Sequence, residues 1–273
     1  LRYYDLLSAS LGNVDMIWER QIAAGDLRDY RVLVLPGVVH LRQDAASAIR
    51  DFVLSGGLLI ADRVPGLDEL ARPMSTLREL FGASVEDDTP GNPGTVVLRE
   101  RDGQAPGSFL AMAPRRYRAL AGATVLAAFT DPEGPAIVTA DRGKGKALLL
   151  AFDGERTHLE MGDQGGFLRS FIRQSVEESA GGLEAYSDNA AVGCNYLEAP
   201  GCAFVVLVNR SERQQACRII MRRLPCRPQF VCDMADGRSL PAELTERGAE
   251  LPVVLAGLCG QVIGLYAGKP STC

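Results

Sequence analysis

The stretch Tyr30 to Asp62, YRVLVLPGVVHLRQDAASAIRDFVLSGGLLIAD, decides how this chain is read. RVLVLPG, Arg31 to Gly37, is a short apolar run stopped by Pro-Gly, and GLLIAD, Gly57 to Asp62, is a second run opened by Gly-Gly. Between them Ala45, Ala46, Ile49, Phe52 and Val53 recur at helical spacing, so the unit reads strand, helix, strand. Parallel strands joined by a crossover helix need a covered sheet, because the strands bury both faces. The expected fold is therefore α/β, with a doubly wound, mostly parallel sheet completed by the chain up to about Ser179.

Outward from that unit, RYYDLLSASLG (Arg2 to Gly12) is predicted as a helix stopped by Gly12, and VDMIW (Val14 to Trp18) as a strand. Met74 to Phe81 has a helical pattern closed by Gly82, TVVLRER suggests a strand, and residues 102–122 are expected to be irregular. PAIVTAD and KALLLAFD are two strand-like runs separated by RGKG, a hairpin signal. GGFLRSFIRQSVEES, Gly165 to Ser179, is predicted as a helix, and its Gly181-Gly182 exit is the expected domain boundary. Beyond it the periodicity changes to short alternating runs, among them AVGCNYLE, CAFVVLVNRS, ACRIIMRR and CGQVIGLYA. Such spacing predicts a small antiparallel β-sandwich over 183–273 after an α/β domain over 1–182.

Composition narrows the function classes. The chain of 273 residues is 47% hydrophobic and 23% charged, as in a soluble globular protein, and its net charge of −5 disfavours nucleic acid or an anionic membrane as main partner. No run approaches the roughly 20 apolar residues of a membrane span, and no signal peptide is visible. The first residue is not Met, so the lack of a visible targeting segment says little about any longer parent chain. All seven cysteines fall after residue 193, without a CxxC pair and with only two histidines in the chain, which argues against a zinc site. They read as small apolar residues of a reduced, cytoplasmic protein. No cofactor or metal motif is apparent.

The strand–helix–strand unit resembles the class I glutamine amidotransferase-like (flavodoxin-like) fold, in which a strand ending in PG is followed by a helix and a strand leading to a nucleophile elbow. That family carries a Cys at the elbow, but IADRVPG places Asp62 and Arg63 there, and neither substitutes for a thiolate. A wider resemblance covers nearly the whole chain. YYDLL, GDLRDYRVLVLPG, LSGGLLIAD, LRELFGASVED, GPAIVTADRGKGKALLLAFD and a Cys-rich β domain look like the post-barrel region of glycoside hydrolase family 42 β-galactosidases. The resemblance implies a degenerate amidotransferase-like trimerisation domain followed by a β-sandwich. It further implies a homo-oligomer, a trimer by resemblance, acting with a catalytic barrel of about 250 residues for which this chain has no room. No catalytic residue is carried over.

Candidate ligand or interface residues follow from position. His40 and Asp62 with Arg63 lie at strand ends, where open α/β sheets bind ligands. His158, in FDGERTHLEM, follows a late strand, where the amidotransferase family keeps its base. Asp62, Asp68 and Glu69 invite a paired-carboxylate reading, although acids close in sequence on a turn do not establish it. Arg115, Arg116 and Arg118, with Arg222 and Arg223, form the basic cluster and suit ion pairing to a neighbouring subunit. Trp18 reads first as a core residue and next as an interface contact. RGKG does not open a helix, so it fails as a phosphate loop, and Asn209-Arg210-Ser211 matches a glycosylation acceptor. The leading expectation is a non-catalytic oligomerisation and scaffold region shaping a barrel's active-site rim. The alternatives are a free-standing hydrolase with a site near Asp62 and His40, or a carbohydrate-binding module, the latter weakened by 6% aromatic content.

Overall fold

A computed structural model of the chain describes residues 2–98, 107–131, 133–160, 166–181, 183–189, 191–222, 224–245 and 248–268. The chain forms two compact units, Met16–Gly181 and, together, Leu1–Asp15 with Gly182–Cys273. Helix α1, Arg2–Leu11, thus packs with the C-terminal unit and not with the α/β sheet that follows it in sequence. Gly12, at φ 77°, ends α1, and a Cβ there would overlap the carbonyl oxygen of Cys194. The side chain of Asn13 then mimics a strand backbone, donating to the Tyr196 carbonyl at 2.5 Å and accepting the Tyr196 N–H at 2.8 Å.

In Met16–Gly181 the expected strand after Gly12 is absent: residues 13–18 are extended coil, followed by helix α2, Glu19–Ala24, and a 3-10 turn, Asp26–Asp29. The decisive stretch folds as read, with strand β1 (Val32–Leu35), helix α3 (Gln43–Ser55) and strand β2 (Leu58–Ala61). β1 and β2 run parallel, and every residue of β2 is at most 1% exposed, which is the burial a parallel strand requires. Gly56 and Gly57 close α3 by donating to the carbonyls of Val53 and Phe52, a Schellman arrangement that only a positive φ at Gly56 permits.

The remaining elements of this unit are α4 (Arg78–Phe81), β3 (Ala83–Asp87), β4 (Gly94–Leu98), β5 (Ser108–Ala111), β6 (Arg116–Ala119), β7 (Thr124–Thr130), β8 (Glu133–Arg142), β9 (Gly145–Leu150), α5 (Gly154–Glu160) and α6 (Gly166–Ala180). The sheet order is β1-β2-β9-β8-β7-β4-β5, with β3 and β6 as a separate ribbon. The expectation of a mostly parallel sheet is corrected here: β1, β2 and β9 are parallel, whereas β9-β8, β8-β7, β7-β4 and β4-β5 are antiparallel. The reason is connection length. A parallel pair needs a crossover of a dozen residues or more, and the β8–β9 link is the tight turn at Gly143-Lys144. Of the span expected to be irregular, Ser108–Ala111 and Arg116–Ala119 are strands, and residues 102–106 lie outside the described residues.

The RGKG turn and the LSGG return are one packed feature. Lys144 N–H donates to the Leu54 carbonyl at 3.0 Å and Lys146 N–H to the Gly57 carbonyl at 3.2 Å, so the hairpin caps the end of α3. A Cβ at Gly145 would overlap the carbonyl oxygens of Val53 and Gly57.

The C-terminal unit is a sandwich of two antiparallel four-stranded sheets. One has β10 (Ala185–Ser187), β13 (Gln215–Met221), β16 (Ala249–Leu255) and β15 (Glu243–Leu244). The other has β11 (Val192–Ala199), β12 (Cys202–Asn209), β17 (Gly260–Tyr266) and β14 (Phe230–Asp233). Alternate residues of each sheet, such as Val205, Leu207, Leu251 and Val253, meet in one core. Cys194 and Cys217 belong to that core, where burial pushes the Cys194 thiol up to about 12. Asn209, the glycosylation candidate, is 1% exposed and spends its amide on the Arg213, Leu255 and Ala256 carbonyls. Arg223 and Cys273 lie outside the described residues.

Candidate functional site at the strand ends

β1, β2 and β9 end on the same side of the sheet, and the loops after them converge on Asp62. Asp62 is 3% exposed. One carboxylate oxygen accepts the Gly37 N–H at 2.5 Å, from the Pro-Gly stop of β1, and the other accepts the Gly154 N–H at 3.4 Å, from the loop after β9. Its main-chain oxygen accepts Arg115 Nη1 at 3.3 Å. Burial, with the nearby Asp153 charge, outweighs these donors and raises its pKa from 3.8 to about 6.

Beside it lies an ion cluster. Asp88 Oδ2 takes a bidentate contact from Arg63 through Nε at 2.7 Å and through Nη2, while Arg115 Nε stands 3.4 Å from Asp88 Oδ1. Tyr117, next inward on β6, receives the Val64 N–H at 3.5 Å, and burial followed by the Asp88 charge pushes its hydroxyl up to about 12.

The sequence candidates separate on this frame. Asp62, Arg63 and Arg115 come together. Arg116 and Arg118 alternate outward on β6 and are exposed, so the basic cluster is split by strand period into one buried and two exposed members. Arg222 belongs to the other unit, where its guanidinium lies 5.2 Å over the Tyr186 ring. His40 is exposed, and its Nδ1 pairs with the Asp68 carbonyl at 3.2 Å. His158 is half-buried on α5, and neither histidine bonds the Asp62 carboxylate.

Asp68 is no partner for Asp62 either. Its carboxylate accepts the Leu70 and Arg72 N–H groups at 2.9 and 2.8 Å and Arg72 Nε at 2.7 Å, locking its own loop. Burial acts to raise its pKa, but these donors prevail and hold it below the usual carboxylate value. Trp18 is 76% exposed as the N-cap residue of α2, which overturns the core reading.

Sequence reasoning missed Gly37, Gly154, Asp88 and Tyr117. Two of these act through the backbone, and Asp88 lies in DDTPGNPG, Asp87 to Gly94, where the prolines and glycines signal only a break between elements. The alternation Arg115-Arg116-Tyr117-Arg118 was the available signal for Tyr117. Each carboxylate oxygen of Asp62 thus takes one backbone N–H, and the ionisable group whose charge it feels most is a second carboxylate, Asp153.

A mixed parallel and antiparallel sheet with helices, followed in the chain by an antiparallel β-sandwich, defines a two-unit α/β plus β-sandwich protein. The chain belongs to the β-galactosidase trimerisation domain family, whose sequence profile matches residues 1–164. Solved structures carry the likeness over the rest. A GH42 β-galactosidase from G. stearothermophilus is 20% identical at TM-score 0.70, with 97% of this chain and 35% of that chain covered. The β-galactosidase from Bacillus circulans sp. alkalophilus is 19% identical at TM-score 0.73, covering 97% and 37%. An α-L-fucosidase isoenzyme 2 from Paenibacillus thiaminolyticus is 15% identical at TM-score 0.74, covering 98% and 45%. The chain therefore spans little more than a third of the length of these β-galactosidases. No curated protein sequence matches it. Among the described residues, no helix is long and apolar enough to cross a membrane.

Proposed function

We propose that this chain is the subunit-association and scaffold region of a β-galactosidase-like glycoside hydrolase, working beside a catalytic barrel outside these residues. In this reading the unit Met16–Gly181 is a degenerate amidotransferase-like domain that joins subunits and shapes the rim of the barrel's active site, and the sandwich, with Leu1–Asp15, is the accompanying domain. Catalysis is supplied elsewhere, and neither nucleic acid nor membrane is a partner. The use of Cys194 and Cys217 as core residues supports a reducing, cytoplasmic setting.

The observation that carries the reading is the match of residues 1–164 to the trimerisation domain family. The two carboxylate oxygens of Asp62 accept the Gly37 and Gly154 N–H groups, which fits a structural use of this residue. Sedimentation of the chain is expected to give a trimer, with no turnover of chromogenic galactosides. A monomer at every concentration would refute the association role. Galactoside hydrolysis abolished by Asp62→Asn or His40→Ala would favour the hydrolase reading.

A further inference from the structure

The rim around the strand ends carries large apolar side chains in water, and local bonds hold them there. Trp18 is 76% exposed and the preceding Met16 is 77% exposed. The Trp18 N–H is fixed by Gln21 Oε1 at 3.0 Å, so the residue is pinned as the cap of α2 while its ring points out. Leu70, 66% exposed, stands on the loop that Asp68 locks through the Leu70 and Arg72 N–H groups.

Three observations place the two loops in one neighbourhood. Helix α2 packs on α3. His40 and Leu67 form a parallel bridge, with Leu41 N–H donating to the Leu67 carbonyl at 3.0 Å, so Arg42 runs beside Glu69. Arg42, held by Asp44 at the start of α3, also feels the charges of Glu69 and Glu19. Trp18 and Leu70 thus adjoin in sequence Glu19 and Glu69, the two acids whose charges reach Arg42. Aromatic and aliphatic anchors inside a mixed-charge rim are the anatomy of a protein contact, and rigid presentation lowers the entropy lost on binding.

We propose that Trp18 and Leu70 are the anchors through which one copy of this chain contacts the next in a closed ring of three. The inference rests on the association role above. It selects a second copy as the occupant because both residues fall within the span matched to a trimerisation domain. A ring of three is built from heterologous contacts, so the surface that receives Trp18 is a different patch of the neighbouring subunit.

The chain holds a single tryptophan, so its fluorescence reports this surface alone. On dilution of the wild-type chain through trimer dissociation, Trp18 emission is expected to shift red and to become more accessible to acrylamide. In sedimentation, Trp18→Ala and Leu70→Ser should each raise the concentration of half-dissociation by at least about tenfold. Val254→Ser, at an exposed sandwich position, should leave it unchanged. A wild-type trimer whose Trp18 is as quenchable as in the monomer, or whose dissociation is indifferent to both substitutions, overturns the inference and leaves the association role standing. A wild-type chain that is monomeric throughout overturns both. Shielding of Trp18 only when further polypeptide is attached to the chain would overturn it in favour of an intrachain contact.

Discussion

Asp62 Oδ1 accepts the backbone N–H of Gly37 at 2.5 Å, joining the end of β2 to the Pro-Gly stop of β1 across 25 residues of sequence. The bond makes the Asp62 side chain a clasp between the two strand ends. Because the carboxylate is almost wholly out of water, its protonation is linked to folding.

The linkage has a definite sign. The folded pKa of Asp62, about 6, lies above the ordinary 3.8, so the folded state binds more protons between those values. The contribution to stability is present below pH 4 and is lost as pH rises through 6. Two pK units correspond to about 3 kcal/mol. Urea unfolding from pH 4 to 7 should find the stability of the wild type falling by about that amount relative to Asp62→Asn, which cannot ionise. Parallel pH profiles for the two proteins would remove the linkage.

The junction of the RGKG turn with α3 leaves no space for a side chain. At Gly145 the obstruction is backbone on both sides, the carbonyls of Val53 and Gly57, so a methyl group must displace the hairpin that caps α3. Gly145→Ala should cost about 2–3 kcal/mol in chemical denaturation. Gly134→Ala, where a Cβ meets nothing within 4 Å, should stay within about 1 kcal/mol of the wild type. Equal effects at both sites would contradict the packing argument.

Asn209 stitches the sandwich from inside. Its amide nitrogen serves three carbonyls, and its oxygen accepts the Ser211 N–H and hydroxyl at 3.0 and 2.9 Å. Asn209→Ala strands these groups and should destabilise the unit by about 2–4 kcal/mol, read as an earlier unfolding transition. The same burial predicts that the folded chain resists glycosylation at Asn209 even when an oligosaccharyltransferase is supplied. Efficient modification of folded protein would refute that.

Much of the fold was legible because the signals are local. Apolar runs bounded by Pro-Gly and Gly-Gly, helical spacing from Ala45 to Val53, and alternation in CAFVVLVN each depend on residues a few positions apart, and each formed the expected element. Failures came where a neighbour decides. VDMIW has strand-forming side chains, yet it forms no strand and leads directly into α2. The end of β7 and the turn after β8 force antiparallel pairing, which apolar content alone does not distinguish from parallel. In the candidate site, Asp62 at the end of IAD was readable from position, but its partners are backbone N–H groups that any residue carries.

By itself the sequence determined the strand–helix–strand unit around α3, the Gly143-Lys144 hairpin, and the change to short alternating strands near residue 182. Those properties follow from side-chain identity and spacing along one segment. Tertiary structure alone decided that Asp62 is buried against the Gly37 and Gly154 N–H groups, that Arg115 is buried while Arg116 and Arg118 are not, and that Trp18 stands in water. These depend on which distant segments pack together, since burial and hydrogen-bond partners belong to a place in space and not to a residue type.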